Sequence, residues 1–269
     1  MCRWLAYTGR PIHLTDALFK PENSLIRQSQ CARWSANATN GDGFGVGWYG
    51  DQATPGLFRD VLPAWNDENL RSLAEQIQSG LFFAHVRAST GTATSRTNCH
   101  PFRHGRFLFM HNGAIGGFDS LRRELDLAIE PRLYGERRGT TDSETFFYLL
   151  LSNGLEADMA RAFRRTIGLV EGAMAKAGVN DPFRMTAALT DGEQVMALRY
   201  SSDGRSPTLF YGHAALGSGG DGRASDGTAT VILSEPLDRE SGNWVEVPEA
   251  RILVAGGGAI MTAPFEPAR

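Results

Sequence analysis

The 269-residue chain carries 27 Lys and Arg against 30 Asp and Glu, a net charge of -3, with no basic stripe to follow a phosphate backbone, which argues against a nucleic-acid partner. Hydrophobic residues make up 42% and charged residues 21%, the balance of a soluble protein with one sizeable core; no linker, charge block or low-complexity tract divides it, so residues 1–269 read as a single domain. The longest apolar run, FFYLLL at 146–151, falls far short of the roughly 20 residues of a membrane helix, and three cysteines, Cys2, Cys31 and Cys99, are an odd, small set that suits free thiols in a reducing cytoplasm.

The chain opens MCRWLAYTGRP, without the charged, apolar and small-residue regions of a secretory signal. Removal of Met1 would leave Cys2 with both a thiol and a free α-amine, a nucleophile and a base on one residue. Strands are predicted at 3–8, 44–49, 81–88, 106–111, 184–190, 194–200, 207–211, 229–234 and 251–255, where β-branched and aromatic residues lie between turn signals. Helical periodicity falls at 66–79 (Leu70, Leu73, Ile77), 119–129 (Leu121, Leu125, Ile129) and 156–177. TDSETFFYLLLSNG has Thr141 and Glu144 in capping-box spacing, which places Asp142 in the first turn of a further helix. Without regular β-α alternation, the order predicts α+β layers of antiparallel sheets, and GSGGDGRASDGT at 217–228 reads as a mobile loop.

Several segments carry candidate chemistry. NGDGFGVGWYG at 40–50 contains a formal G-x-G-x-x-G, but a turn follows it where a dinucleotide site needs a helix. Its alternating glycines indicate close backbone approach to packed layers or to a ligand, and Asp42 reads as structural. His85, Cys99, His100, His104 and His111 lack the paired short spacings of a zinc site; a Cys99/His111/Asp142 triad is conceivable, though nothing selects those three. MHNGAI at 110–115 is either a plain turn or an amide side chain and a glycine N–H presented together, the hardware of an oxyanion hole. Arg87, inside the apolar LFFAHVRAST, either points to solvent or reaches inward to meet a carboxylate.

Together these segments resemble the class II glutamine amidotransferases of the N-terminal-nucleophile (Ntn) hydrolase superfamily. The family pattern is a cysteine exposed by loss of the initiator Met, an H-x-R strand, an N-x-H-P motif, an H-N-G turn and an S/T-D-[ST]-E helix start. This chain has Cys2-Arg3, HVRAST at 85–90, NCHPF at 98–102, HNG at 111–113 and TDSE at 141–144, in that order. It is similar in particular to stand-alone members, which include the γ-glutamyl hydrolase of ergothioneine biosynthesis. The shared features are MCR, a DGxGVGW-like stretch from Asp42 to Trp48, and a C-terminal run of Ser234-Glu235-Pro236, Asp238, Ser241-Gly242 and Trp244.

The resemblance implies an α+β, four-layer αββα sandwich of two mainly antiparallel sheets. It implies Cys2 as nucleophile with its own α-amine as base, since their ordinary pKa values, about 8.5 and about 7.7–8.0, make transfer near neutral pH feasible. Asn112 and Gly113 would hold the oxyanion. Arg87 would clamp the α-carboxylate of a glutamyl group and Asp142 its α-ammonium, with His111 also on the substrate side, while Arg3, Asn98 and His100 would support the site. The implied reaction cleaves the γ-amide of glutamine or of a γ-glutamyl compound through a thioester, with no metal or other cofactor. Members fused to a synthase usually carry Trp after the motif arginine, where this chain has Ala88. That difference, with no second catalytic domain in the chain, favours a hydrolase, or a subunit that feeds ammonia to a separate synthase; a non-catalytic γ-glutamyl sensor is the reading from another class. Loops 28–41 and 213–228 are the expected source of specificity for the group beyond the γ-amide.

Overall fold

The alternation of side chains along the first strand sets the layering. The computed structural model describes residues 2–32, 39–89, 91–213, 216, 229–240 and 242–268; the segment 217–228, the Met1 start, Ser241 and parts of both loops expected to set specificity lie outside the described residues. The strands are β1 (Arg3–His13), β2 (Phe44–Trp48), β3 (Gly56–Asp60), β4 (Gln78–Val86), β5 (Phe102–His104), β6 (Phe107–Ala114), β7 (Arg184–Thr190), β8 (Val195–Ser201), β9 (Phe210–Gly212), β10 (Thr230–Leu233), β11 (Trp244–Glu246), β12 (Arg251–Gly256) and β13 (Ala259–Pro264). Among the described residues they form two antiparallel sheets, one in the order β11-β9-β10-β1-β4-β2-β3 and one in the order β13-β12-β8-β7-β6-β5. The helices are α1 (Leu14–Leu18), α2 (Leu25–Gln30), α3 (Glu68–Gln76), α4 (Phe118–Leu127), α5 (Pro131–Tyr134), α6 (Asp142–Ser152) and α7 (Met159–Lys176).

Successive strand residues point to opposite faces, and each face has its own core. Leu5 and Tyr7 of β1, with Phe82, Ala84 and Val86 of β4, pack against Leu14 and Leu18 of α1, Leu25 of α2 and Leu70 of α3. Trp4 and Ala6, with Leu81 and Phe83, meet Leu108, Met110 and Ala188 of the second sheet. Phe107 and Phe109 of β6 turn the other way, onto Phe146 and Phe147 of α6 and Phe163 of α7. The result is the expected αββα order. α6 is buried on almost every side because it lies between the sheet and the other helices, which is where a helix apolar all round belongs.

This parity also aims the candidate residues. Cys2 and Asn112 continue the faces of Trp4 and Met110, and His85 and Arg87 continue that of Phe83, so all four point between the sheets. His111 shares the face of Phe109 and points toward α6.

The four long helical segments form, with 156–177 starting later than expected, at Met159, because Asp158 caps it by accepting the Arg161 N–H at 3.0 Å. The glycine-rich 44–48 is a hairpin strand beside β3. A Cβ on Gly45 would stand 2.2 Å from the His100 carbonyl oxygen, so this glycine serves layer packing.

Candidate active site

Cys2 enters β1 half-buried, with Sγ 3.6 Å from the Ala88 carbonyl. Burial pushes its thiol above the ordinary range, and the Arg87 and Arg3 guanidiniums oppose that shift. Arg3 points the other way along the strand. Its Nε donates to Glu235 at 2.6 Å and its Nη1 to the Cys2 carbonyl at 2.8 Å, both side chains being only 1% exposed. The Ser-Glu-Pro run that supplies Glu235 is itself tied down: the Ser234 hydroxyl accepts the Trp4 N–H at 3.1 Å, Gln28 Nε2 donates to the Glu235 carbonyl at 3.2 Å, and Asn23 Nδ2 donates to the Pro236 carbonyl at 2.7 Å. Asp238 accepts from Trp244 Nε1 at 2.9 Å. The C-terminal motif thus holds the strand that begins with Cys2.

Arg87 is buried and points inward, but no carboxylate meets it among the described residues. Nη1 donates to the Asp42 carbonyl at 3.2 Å; Nη2 donates to Thr92 Oγ1 at 2.6 Å, Ser89 Oγ at 3.2 Å and the Ala93 carbonyl at 3.4 Å. Neutral oxygens hold the fork in place and leave its charge uncompensated. Asp42 spends its carboxylate on the Ser89 N–H, at 2.7 Å, in the structural role expected of it. Asn98 links this loop to the start of α6: Nδ2 donates to the Ala93 carbonyl at 2.9 Å, and Oδ1 accepts the Thr140 N–H at 2.8 Å.

Asn112 is 1% exposed, yet among the described residues neither end of its amide has a hydrogen-bond partner. A buried unpaired amide costs a few kcal/mol, so the group is poised for something the cavity receives. Next to it, Gly113 has φ +152°, and a Cβ there would stand 1.9 Å from the Arg184 carbonyl oxygen; only glycine fits. Trp4 Nε1 donates to Thr186 Oγ1 at 3.3 Å, and that hydroxyl contacts the Asn112 carbonyl at 3.5 Å, joining the Cys2 strand to the Asn112 strand across the sheets.

Asp142 stands in the first turn of α6. Thr141 caps the helix by accepting the Glu144 N–H at 3.1 Å, but Glu144 does not return to Thr141 as a capping box requires. Its carboxylate accepts the Arg138 N–H at 3.0 Å and the Gly139 N–H at 2.7 Å, shaping the loop that precedes the helix. His111 Nδ1 lies 2.8 Å from Ser143 Oγ.

The remaining histidines and Cys99 do not gather. His100 stacks on His85 with ring centroids 4.3 Å apart, and neither His100 nitrogen has a hydrogen-bond partner among the described residues. Burial depresses both rings, His85 to about 3. His104 pairs with Glu136 at 3.1 Å. Cys99 Sγ faces the Asp60 and Ser95 carbonyls, each at 3.4 Å, and burial raises its thiol to about 11, which separates it from any triad with His111 and Asp142. Among the described residues no three His, Cys, Asp or Glu side chains come together as metal ligands.

One cavity of 360 Å³ brings the expected residues together: Cys2, Arg87, His100, His111, Asn112, Gly113 and Asp142 all line it. Arg3 and Asn98 stand behind it. Ala88, Pro182 and Pro207 form apolar wall. A thiol, an unpaired amide, an uncompensated cation and a carboxylate around one cleft suit acyl transfer on a zwitterionic substrate. The sequence reading missed Thr92 and Ser89, the cradle of Arg87, although hydroxyl residues directly after an inward arginine are a usable signal; it also missed Ser143.

Comparison with known proteins agrees with this geometry. The family described as glutamine amidotransferases class-II matches residues 24–210. A probable glutamine amidotransferase, DUG3 of Saccharomyces cerevisiae, is 36% identical over 98% of this chain and 84% of its own length. The gamma-glutamyl-hercynylcysteine sulfoxide hydrolase of Mycolicibacterium smegmatis is 26% identical over 98% of this chain and 100% of its own. The solved structure of a glutamine aminotransferase class-II domain protein from Silicibacter pomeroyi, 37% identical, superposes over 100% of both chains with a TM-score of 0.78. With two antiparallel sheets in the Ntn arrangement and a family match over most of its length, the chain belongs to the class II glutamine amidotransferases and is an amidotransferase-like hydrolase.

Proposed function

We propose that the protein cleaves the γ-amide of glutamine or a γ-glutamyl compound with Cys2 as nucleophile, residues 1–269 acting as one catalytic domain. The observation that carries this reading is the unpaired Asn112 amide in the same cavity as the Cys2 thiol and the uncompensated Arg87 guanidinium. Arg87 takes the substrate α-carboxylate in a forked ion pair, and Asp142 takes the α-ammonium. The α-amine of Cys2, free once Met1 is gone, removes the thiol proton as sulfur bonds to the γ-carbonyl carbon. Asn112 Nδ2 and the Gly113 N–H receive the oxyanion. The C–N bond then breaks, the proton passing from the α-ammonium of Cys2 to the departing nitrogen, and leaves a γ-glutamyl thioester. Water adds to that carbonyl, giving its proton to the amine; the C–S bond breaks and glutamate leaves.

A relative of matching length whose name is that of a γ-glutamyl compound's hydrolase favours hydrolysis, and the small Ala88 beside Arg87 leaves space for a substituent on the γ-nitrogen. The test is a panel of glutamine, γ-glutamyl amines and γ-glutamyl peptides, with glutamate release as readout and intact mass to establish loss of Met1. Cys2→Ala should abolish turnover and keep ligand binding, and Asn112→Ala should lower kcat by roughly a hundredfold or more. Full hydrolysis by Cys2→Ala would refute the nucleophile, binding without turnover by the parent protein would favour a sensor, and glutamine hydrolysis that appears only with a host protein added would favour an ammonia-supplying subunit.

A further inference from the structure

The carboxylate of Asp142 is largely engaged before any substrate arrives. Oδ2 accepts the Ile115 N–H at 2.9 Å, while Oδ1 accepts the Ser143 N–H at 2.7 Å and the Ser143 hydroxyl at 3.1 Å. An ionised carboxylate can only accept, so the one hydroxyl proton of Ser143 points at Asp142 and the Ser143 oxygen is left to accept. The atom 2.8 Å from that oxygen is His111 Nδ1, which must therefore carry the ring proton. The other nitrogen, Nε2, is then a bare lone pair. It is buried and makes no hydrogen bond of good geometry among the described residues, although the Arg184 carbonyl lies on its side of a ring that lines the cavity together with Asp142 and Gly113. Burial lowers the pKa of this ring against the pull of the Asp142 carboxylate and of the Arg184 carbonyl, which favours the neutral form.

The competing arrangement places a proton on Nε2, aimed toward the Arg184 carbonyl. It requires Ser143 to donate to Nδ1, which leaves the lone pairs of Ser143 facing a carboxylate oxygen at 3.1 Å. The favoured arrangement in turn gives up any Nε2–H contact to the Arg184 carbonyl, but that contact forms no hydrogen bond of good geometry. A charged acceptor, by contrast, makes a hydrogen bond about twice as strong as a neutral one, so the hydroxyl proton goes to Asp142.

We propose that Ser143 is a positioning residue: it relays the Asp142 carboxylate to His111 and holds the ring as the Nδ1–H tautomer. The Nε2 lone pair and the remaining acceptor site of Asp142 then receive the α-ammonium of the substrate together. The second half of this proposal rests on the γ-glutamyl reading. A carboxylate offers about four acceptor sites, and three donors already occupy Asp142. Asp142 therefore meets a single N–H of an ammonium that has three, and a second buried acceptor is needed beside it. A neutral imidazole supplies one without adding a charge that the Arg87 side of the pocket would have to balance.

The experiment combines ring nitrogen NMR of the protein's 6 histidines, with His111 assigned through His111→Gln, and calorimetric binding of L-glutamate and of glutarate, which lacks the α-ammonium. The free protein should show His111 protonated at Nδ1, and L-glutamate should shift its Nε2 signal. Ser143→Ala should lose the single tautomer and bind L-glutamate about tenfold or more weaker, with glutarate changed by less than about twofold; Ser143→Thr, which keeps the hydroxyl, should restore both. A proton on Nε2 in the free protein, a tautomer unchanged in Ser143→Ala, or equal weakening of both ligands would overturn the proposal. Binding of neither ligand by the parent protein would overturn the γ-glutamyl reading and the ammonium contact with it, while the tautomer would still decide whether Ser143 positions the ring.

Discussion

Arg3 and Glu235 form an ion pair in which both side chains are 1% exposed, and Arg3 also holds the carbonyl of Cys2. Arg3→Met takes the Arg3 cation away from a buried carboxylate, and Glu235→Leu takes the carboxylate away from the buried Arg3 guanidinium. Removing one partner of such a pair costs about 3–5 kcal/mol. At roughly 2–4 °C per kcal/mol for a chain of this size, either single variant should melt roughly 6–20 °C below the parent. The double variant Arg3→Met/Glu235→Leu removes both charges of the pair and should recover part of that loss, because apolar replacements of similar volume also escape the desolvation cost. Its activity should stay low, with kcat down by about tenfold, since the Cys2 carbonyl has lost a charged donor. Thermal unfolding followed by circular dichroism, with glutamate release on the same samples, separates the two effects. Single variants that melt with the parent, or a double variant no more stable than either single, would refute the reasoning; a stable double variant with full kcat would show that Arg3 serves the fold alone.

Three further outcomes follow from the same geometry. Because burial raises the Cys2 thiol, its alkylation by iodoacetamide should accelerate about tenfold per pH unit through neutrality, and Arg87→Met should push the midpoint higher; a plateau below pH 8 would contradict this. Gly113→Ala places a Cβ 1.9 Å from the Arg184 carbonyl oxygen at φ +152°, so it should lower both the melting temperature and kcat, the latter by roughly a hundredfold or more, and an unchanged kcat would sink the assignment. His85, His100 and His111 are all depressed by burial. Their neutral forms therefore stabilise the fold above the unfolded value of about 6.5, and that stability is lost as pH falls below it, at about 1.4 kcal/mol per pH unit for each ring. Chemical denaturation between pH 6.5 and 5 should show a slope approaching about 3 kcal/mol per pH unit from the strongly depressed His85 and His100, to which His111 adds, reduced by about 1.4 in His100→Phe; a flat profile would mean that the rings already titrate in the folded state.

The sequence made the centre of the fold legible and its edges obscure, for a physical reason. All nine strands expected from β-branched and aromatic runs between turn signals form, because strands inside a sheet must satisfy two packed faces and so carry such runs. β3, β5, β11 and β13 went unseen. β3 and β13 are sheet edges, the first only half-buried and the second mostly exposed, and the other two are three-residue strands at sheet edges, so no two-faced burial marks them; β9 is as short but lies inside its sheet. α1, α2 and α5 are four to six residues long, less than two turns, which is too short to show a helical stripe.

The site divides differently, between residue identity and residue state. That Cys2, Arg87, Asn112, Gly113 and Asp142 would share a cleft followed from motif order. What each would be doing there did not, because it depends on partners far away in sequence. Arg87 reads from the sequence either as facing solvent or as reaching inward to a carboxylate; it reaches inward to the cavity wall, yet among the described residues it is held by hydroxyls and carbonyls from residues 42 and 89–93. A carboxylate from the protein would fill the place proposed for a substrate carboxylate. Asn112 follows the same logic: a satisfied amide would lower the energy of the site and remove the donor that its proposed oxyanion role requires. The residues most exposed to functional demand are the ones whose local bonding looks incomplete, and that incompleteness becomes visible only when every neighbour is in place.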